Sequence, residues 1–152
     1  MINVVLYQPE IPHNTGAIGR LCLGAGARLH LIEPLGFSLD DRHLKRAGLD
    51  YWKEVDVCRW SSWEAFLAKL PGDAKLLFLT SKARQAHWHA PLGGDDVWLV
   101  FGPETRGLPE SLLAASPQQC LTIPMQGTRS LNLATAVAIV LFESVRQRSK
   151  GE

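Results

Sequence analysis

Cysteine is scarce in this chain, and its placement excludes two classes of small protein at once. Cys22, Cys58 and Cys120 are odd in number, far apart and without CxxC or HxxxH spacing, so neither a disulfide framework nor a zinc site is supported. Each is expected to be a small core residue, and no metal is expected. An excess of one charge is also missing. The net charge of +1 lacks the strongly basic balance by which a chain neutralises nucleic-acid phosphates, leaving only local clusters to serve that purpose. No apolar run reaches the roughly 18 residues that span a bilayer, and Ile2-Asn3-Val4-Val5-Leu6-Tyr7 follows Met1 with no basic leader. A cytoplasmic protein with no membrane contact is expected.

Nucleotide-binding and hydrolase signatures are missing as well. Gly24-Ala25-Gly26 closes a helix and precedes a strand, the reverse of the dinucleotide fingerprint, and nothing matches GxxxxGK. His13, His30, His43, His87 and His89 have no nucleophile-elbow partner. Repeats and low-complexity tracts are absent too, so ordinary core packing must make the fold.

What is present is a chain of 152 residues, 46% hydrophobic and 20% charged, the balance of one folded domain over residues 1–152. Short apolar runs bounded by prolines and glycines read as strands buried on both faces: Val4-Val5-Leu6-Tyr7, Arg28 to Glu33, Lys75 to Thr80, Val97 to Phe101 and Cys120 to Ile123. Glu54 to Cys58 alternates as a more exposed strand. Between them lie helix patterns. One runs from an Asn14 cap to about Leu23, ended by Gly24 and Gly26. A short charged helix begins at Leu39-Asp40 and runs through about Ala47, and another follows the capping-box pair Ser61 and Glu64 and stops at Pro71-Gly72. Strands alternating with helices predict an α/β fold, a mostly parallel sheet flanked by helices. Ligands of such sheets sit at the carboxyl ends of the strands, which singles out four loops: Gln8 to Asn14, Thr80 to Arg84, Gly102 to Gly107 and Pro124 to Ser130.

The last of these loops feeds the most apolar segment of the chain. Ten of the twelve residues from Leu131 to Phe142 are apolar, which leaves no wet face before Glu143. Either the helix is sandwiched within the domain or it completes its burial against a second copy, and the short chain favours the second. In the first helix Arg20 stands six positions after Asn14; alone it reads as a surface arginine paired with a carboxylate. Gly16 and Gly19 read as close helix contacts, since a helical glycine costs about 1 kcal/mol against alanine. Gly102 reads either as a tight turn or as a place where a ligand approaches the main chain, and Glu104 either as a ligand contact or as a helix cap. Three clusters are basic: Arg42, His43, Lys45 and Arg46; Lys82, Arg84, His87 and His89 around Trp88; and Arg146, Arg148 and Lys150. Such stretches are commonly no more than solvated faces.

The segments Asn14 to Arg20, Phe101 to Pro109 and Ile123 to Asn132 resemble, in this order, the three motifs of the SpoU branch of the SPOUT methyltransferases. The similarity extends through Leu6-Tyr7-Gln8-Pro9-Glu10-Ile11-Pro12 and Arg46-Ala47-Gly48-Leu49-Asp50-Tyr51. The resemblance is nearest to the tRNA 2′-O-ribose methyltransferases that act on the wobble cytidine or uridine. It implies a C-terminal trefoil knot, which nothing in the periodicity shows and which general experience makes rare. It implies S-adenosylmethionine as cofactor, held largely by main-chain groups at Leu79, Gly102, Ile123, Ser130 and Leu131. Arg20 would be catalytic with Asn14, while Glu104 and Asn132 would be supporting polar groups. The partners implied are the anticodon stem-loop of a tRNA, with tRNA-Leu expected, and a second protomer joined through the C-terminal helix. Lys45, Arg46, Lys82, Arg84 and Arg129 are the candidate RNA contacts, with Trp52 or Trp88 available to stack a base. The resemblance leaves two other readings open: methylation at a different tRNA or rRNA site, and an RNA-binding module without activity.

Overall fold

The computed structural model describes residues 1–149. Six strands, β1 (Ile2–Tyr7), β2 (Arg28–Ile32), β3 (Val57–Trp60), β4 (Leu76–Leu79), β5 (Val97–Phe101) and β6 (Cys120–Leu121), form one sheet in the order β3-β2-β1-β5-β4-β6. Every pairing is parallel. The central strands β1 and β5 are the continuous apolar runs of the sequence, because helices cover the sheet on both sides and leave neither face for polar residues. Alternation along β1 sorts side chains between two cores. Val4 and Leu6 face Ile18 and Cys22 of α1 (Pro12–Ala25) and Val137, Val140 and Leu141 of α5 (Leu133–Arg148). Val5 faces Trp63 and Phe66 of α3 (Trp63–Lys69) and Leu113 of α4 (Glu110–Ala115).

The helix boundaries differ from expectation, each for a local reason. Asn14 does not cap α1: the helix begins at Pro12, with proline in the first turn and Ile11 at the cap, so Asn14 points elsewhere. Gly26 at φ 70 closes the helix by donating its N–H to the Cys22 and Leu23 carbonyls. The charged helix α2 (Arg42–Ala47) starts after Asp41, whose carboxylate accepts the His43 N–H at 2.8 Å. The strand expected at 54–58 lies at Val57–Trp60, because Leu49–Glu54 is taken up by a 3-10 helix. Ser62, not Ser61, caps α3 by accepting the Ala65 N–H at 3.0 Å. The final helix starts two residues late because Asn132 caps it, its Oδ1 accepting from Ala134 N at 2.9 Å and Thr135 N at 3.3 Å.

Helix α5 is buried on one side within the chain, through Val137, Val140, Leu141 and Ser144. Its opposite side leaves Ile139 38% and Phe142 41% exposed, so one chain does not cover it all round. The two α1 glycines are packing positions: a Cβ on Gly16 would stand 2.1 Å from the Leu44 carbonyl oxygen, and one on Gly19 2.5 Å from the Trp52 ring. Cys22 and Cys120 are buried as expected, whereas Cys58 is only half-buried. Burial pushes the Cys22 thiol up to about 12, which keeps it an inert apolar group.

His30 shows how a titratable group is accommodated in this core. The Trp60 indole N–H can only donate, and it lies 3.1 Å from His30 Nδ1. The ring proton therefore sits on Nε2, which donates to Asn3 Oδ1 at 3.0 Å. Burial, with a smaller contribution from the positive Arg28, lowers the His30 pKa to about 4. An unfolded histidine titrates near 6.5, so below that pH the unfolded chain takes up a proton that the native chain refuses. The stability gained from keeping His30 neutral is complete above pH ~6.5 and falls as pH drops toward 4, by about 2–3 kcal/mol. Urea unfolding across this range should show that the stability gap between the wild type and His30→Gln narrows by this amount on acidification. A gap independent of pH would contradict the assignment.

Candidate functional site

The strand order reverses about β1 and β5, and at such a switch point the loops leaving the carboxyl ends of neighbouring strands diverge and leave a crevice. A cleft of about 330 Å³ lies beside this point and not across it: it is walled by the loops that follow β4, β5 and β6 and by the first turn of α5, and none of its lining residues comes from the loop after β1. Leu79, Gly102, Ile123, Ser130 and Leu131 all line it, together with Glu104, Lys82 and Arg129. Phe101, Leu108, Leu133 and Ala136 supply apolar surface, while Thr80, Thr122 and Ser130 supply hydroxyls. Apolar walls with a few convergent polar groups suit a small organic ligand. The 102–108 loop is folded hard against itself: a Cβ on Gly102 would stand 2.4 Å from Leu108 N and 2.5 Å from Gly107 C. Glycine is thus required by the turn, and that turn shapes the cleft wall.

Glu104 neither caps a helix nor points free into the cleft. Its carboxylate accepts the backbone N–H groups of Glu10 and Ile11, each at 2.8 Å, and the Asn14 amide at 3.3 Å. Asn14 Oδ1 in turn accepts from Asn132 Nδ2 at 3.0 Å. One chain of hydrogen bonds therefore joins the loop after β1, the loop after β5 and the cap of α5. Asn14, 5% exposed, is held inside this chain, which explains why it is not a helix cap. A second clasp was not singled out from the sequence. Glu10 accepts from Thr105 N and Thr105 Oγ1, both at 2.8 Å, and these two bonds hold its carboxyl below the usual range. Gln8, at φ 49, turns the chain off β1 toward it. The available signal was the proline spacing of Gln8-Pro9-Glu10-Ile11-Pro12, which forces an extended loop but does not name its contact.

The remaining candidates are dispersed. Arg20 is exposed on α1 and does not line the cleft; its guanidinium lies 5.8 Å from the centre of the Tyr51 ring. Lys45 and Arg46 lie on α2, with Lys45 pairing Asp40 at 3.8 Å. Lys82 pairs with Glu110 at the cleft mouth. Arg84 lines an adjoining hollow of about 430 Å³ with Gln85 and Gln118. The cations thus form two groups, one on α2 and one around the cleft. Arg146 is engaged by Glu143 at 2.8 Å, and Lys150 lies outside the described residues. Trp52 is occupied, since its ring packs over Gly19, whereas Trp88 is 47% exposed. Tyr51, 46% exposed, is a second open ring, and no sequence pattern assigns it a role. Among the described residues no group of His, Cys, Asp and Glu could hold a metal ion. No helix among them is long and apolar enough to cross a membrane.

Comparison with known proteins gives consistent findings. A model of the SpoU rRNA Methylase family matches residues 1–142. The tRNA (cytidine(34)-2'-O)-methyltransferase of Aeromonas hydrophila is 51% identical over 149 residues, covering 97% of this chain and 94% of that protein. A solved structure described as giving insight into the 2-OH methylation of C/U34 on tRNA superposes with a TM-score of 0.91 at 46% identity, covering 97% of this chain and 90% of the other. An AdoMet-bound rRNA methyltransferase from Sinorhizobium meliloti superposes with a TM-score of 0.84 at 28% identity, covering 95% of this chain and 56% of the other.

Proposed function

The chain belongs to the SpoU methylase family, and from that premise we propose that it is a tRNA 2′-O-ribose methyltransferase acting on nucleotide 34. The observation that carries this reading is identity to a tRNA (cytidine(34)-2'-O)-methyltransferase over nearly the whole of both chains. The methyl donor is S-adenosylmethionine, as in the AdoMet-bound relative. The cleft fits such a donor: its volume of about 330 Å³ lies in the range of small-ligand sites, and its lining joins apolar surface to hydroxyls. Leu79, Gly102, Ile123, Ser130 and Leu131 would hold the donor, which supplies an electrophilic methyl group on sulfur when bound.

The residues of the chain then have to place a ribose hydroxyl in line with that methyl group and ease the loss of its proton. A guanidinium stays protonated and is a poor general base. The role assigned to Arg20 is therefore to stabilise the developing alkoxide and to grip a neighbouring phosphate, which can take the proton. Since Arg20 does not line the cleft of its own chain, the arrangement is one that forms with RNA and a second protomer in place. The exposed Ile139 and Phe142 of α5 support a homodimer through that helix. Asn14, Glu104 and Asn132 keep the cleft walls in register. The reading includes a single methyltransferase domain over 1–152, a cytoplasmic location and tRNA-Leu as substrate. It also includes the C-terminal knot, which rests on membership of the family.

Incubation with labelled S-adenosylmethionine and total tRNA, followed by mapping of the product, should place the methyl group on the 2′-oxygen of nucleotide 34. Label at another nucleotide, or none, would overturn the reading. Charge reversal at both Lys45 and Arg46 should weaken tRNA binding and flatten its salt dependence by about two phosphate contacts. Unchanged affinity and slope would remove the α2 face from the RNA path.

A further inference from the structure

We infer that Tyr51 is a positioning residue for Arg20, its ring holding the guanidinium in the orientation that methyl transfer requires. The inference rests on the catalytic reading of Arg20 given above. The Arg20 guanidinium carbon stands 5.8 Å from the Tyr51 ring centre, inside the roughly 6 Å within which a ring face attracts a cation. Among the described residues no carboxylate pairs with Arg20; the paired arginines are Arg28, Arg59, Arg106 and Arg146. The difference matters chemically. A carboxylate partner would occupy the N–H fork and compete with the substrate phosphate, whereas a ring face holds the cation and leaves its N–H donors free to bind oxygen.

The backbone is built so that this ring reaches that arginine. Consecutive residues of the 3-10 helix, Tyr51 and Trp52, meet consecutive residues of α1: Trp52 packs over Gly19 so closely that a Cβ there would stand 2.5 Å from its ring, and Tyr51 lies beside Arg20. Ala47 and Leu44 meet Gly16 one turn earlier, where a Cβ would stand 2.9 Å from Ala47 Cβ. These two close approaches leave the segment no freedom to slide along α1. The turn that makes this docking passes through Leu49 at φ 54, a left-handed conformation rare for a side chain of its size, and Leu49 itself is 50% exposed. Leu49 follows Gly48, the C-cap of α2, and a left-handed residue at this position is a common way to end a helix; the direction it gives the chain brings Tyr51 to α1. Tyr51 remains 46% exposed, so the ring is placed without being used as core.

The test is steady-state methylation of tRNA at saturating donor by Tyr51→Phe, Tyr51→Leu and a series with successively fluorinated phenylalanine at position 51. Fluorination drains the ring face of negative charge while hardly changing its shape. The expected result is a kcat near wild type for Tyr51→Phe, a fall of about tenfold for Tyr51→Leu and a stepwise fall with each added fluorine, with KM for tRNA and melting temperature nearly constant. A flat fluorine series overturns the inference, as does a raised KM at unchanged kcat, which would make the ring an RNA contact. Since fluorination spares the fold, the series decides the matter even if Tyr51→Leu is unstable. Arg20→Ala, measured beside them, separates the two claims. Wild-type turnover in that variant defeats the catalytic reading, whereas an inactive Arg20→Ala with a flat fluorine series defeats the positioning role alone.

Discussion

Replacing Arg20 by alanine is expected to abolish methyl transfer while leaving the affinity for S-adenosylmethionine within about a factor of two. The expected loss in kcat is on the order of 10²–10³-fold, the size found when a preorganised donor to a developing oxyanion is removed. Donor binding should survive because Arg20 is exposed on α1 and does not line the cleft. Stability should survive as well, since an exposed arginine with no carboxylate partner among the described residues contributes little to the fold. Three measurements check this together: single-turnover methylation, donor binding by calorimetry and thermal unfolding. Turnover at the wild-type rate would remove Arg20 from the mechanism, and lost donor binding would show instead that α1 helps to form the cleft.

The second large effect is structural. Gly16→Val should destabilise the protein by more than about 3 kcal/mol, because the new side chain meets main chain rather than a side chain that can rotate away. The first carbon alone would stand 2.1 Å from the Leu44 carbonyl oxygen and 2.9 Å from Ala47 Cβ. Relief requires α2 to move off α1, and with it the segment that seats Trp52 on Gly19. The control lies on the same helix. Nothing stands within 4 Å of a Cβ on Gly24, so Gly24→Ala should be stabilising by up to about 1 kcal/mol through backbone entropy. Urea midpoints of the two variants moving in opposite directions would confirm the contrast; equal midpoints would refute it.

The buried strands can be read from the chain because burial on both faces of a parallel sheet writes itself as an uninterrupted apolar run, as at Val97–Phe101, whereas the more exposed β3 lies three residues beyond its expected start. The helix starts could not, because a cap is a competition among neighbours. Asn14 has the right chemistry for a cap, yet Pro12 starts α1 two residues earlier and Glu104, 90 residues away, claims the amide. At α3 the hydroxyl that accepts from Ala65 belongs to Ser62, one position after Ser61. The five residues that the resemblance proposes for the donor, Leu79, Gly102, Ile123, Ser130 and Leu131, all line one cleft. What no local pattern contained was the clasp of Glu10 on Thr105 and the proximity of Tyr51 to Arg20. Both join residues through a fold that has to exist before they meet.

The bonds around Glu104 also set an order of events in time. Asn14 and Asn132 are 118 positions apart, and Glu104 is 94 positions from Glu10. Contacts of such separation form late, after shorter-range pairing has reduced the entropy of closing the loops between them. On a ribosome the first loop and β1 emerge long before the asparagine that completes the network. Leu133 and Ala136 line the cleft, so its wall is complete only once α5 has docked.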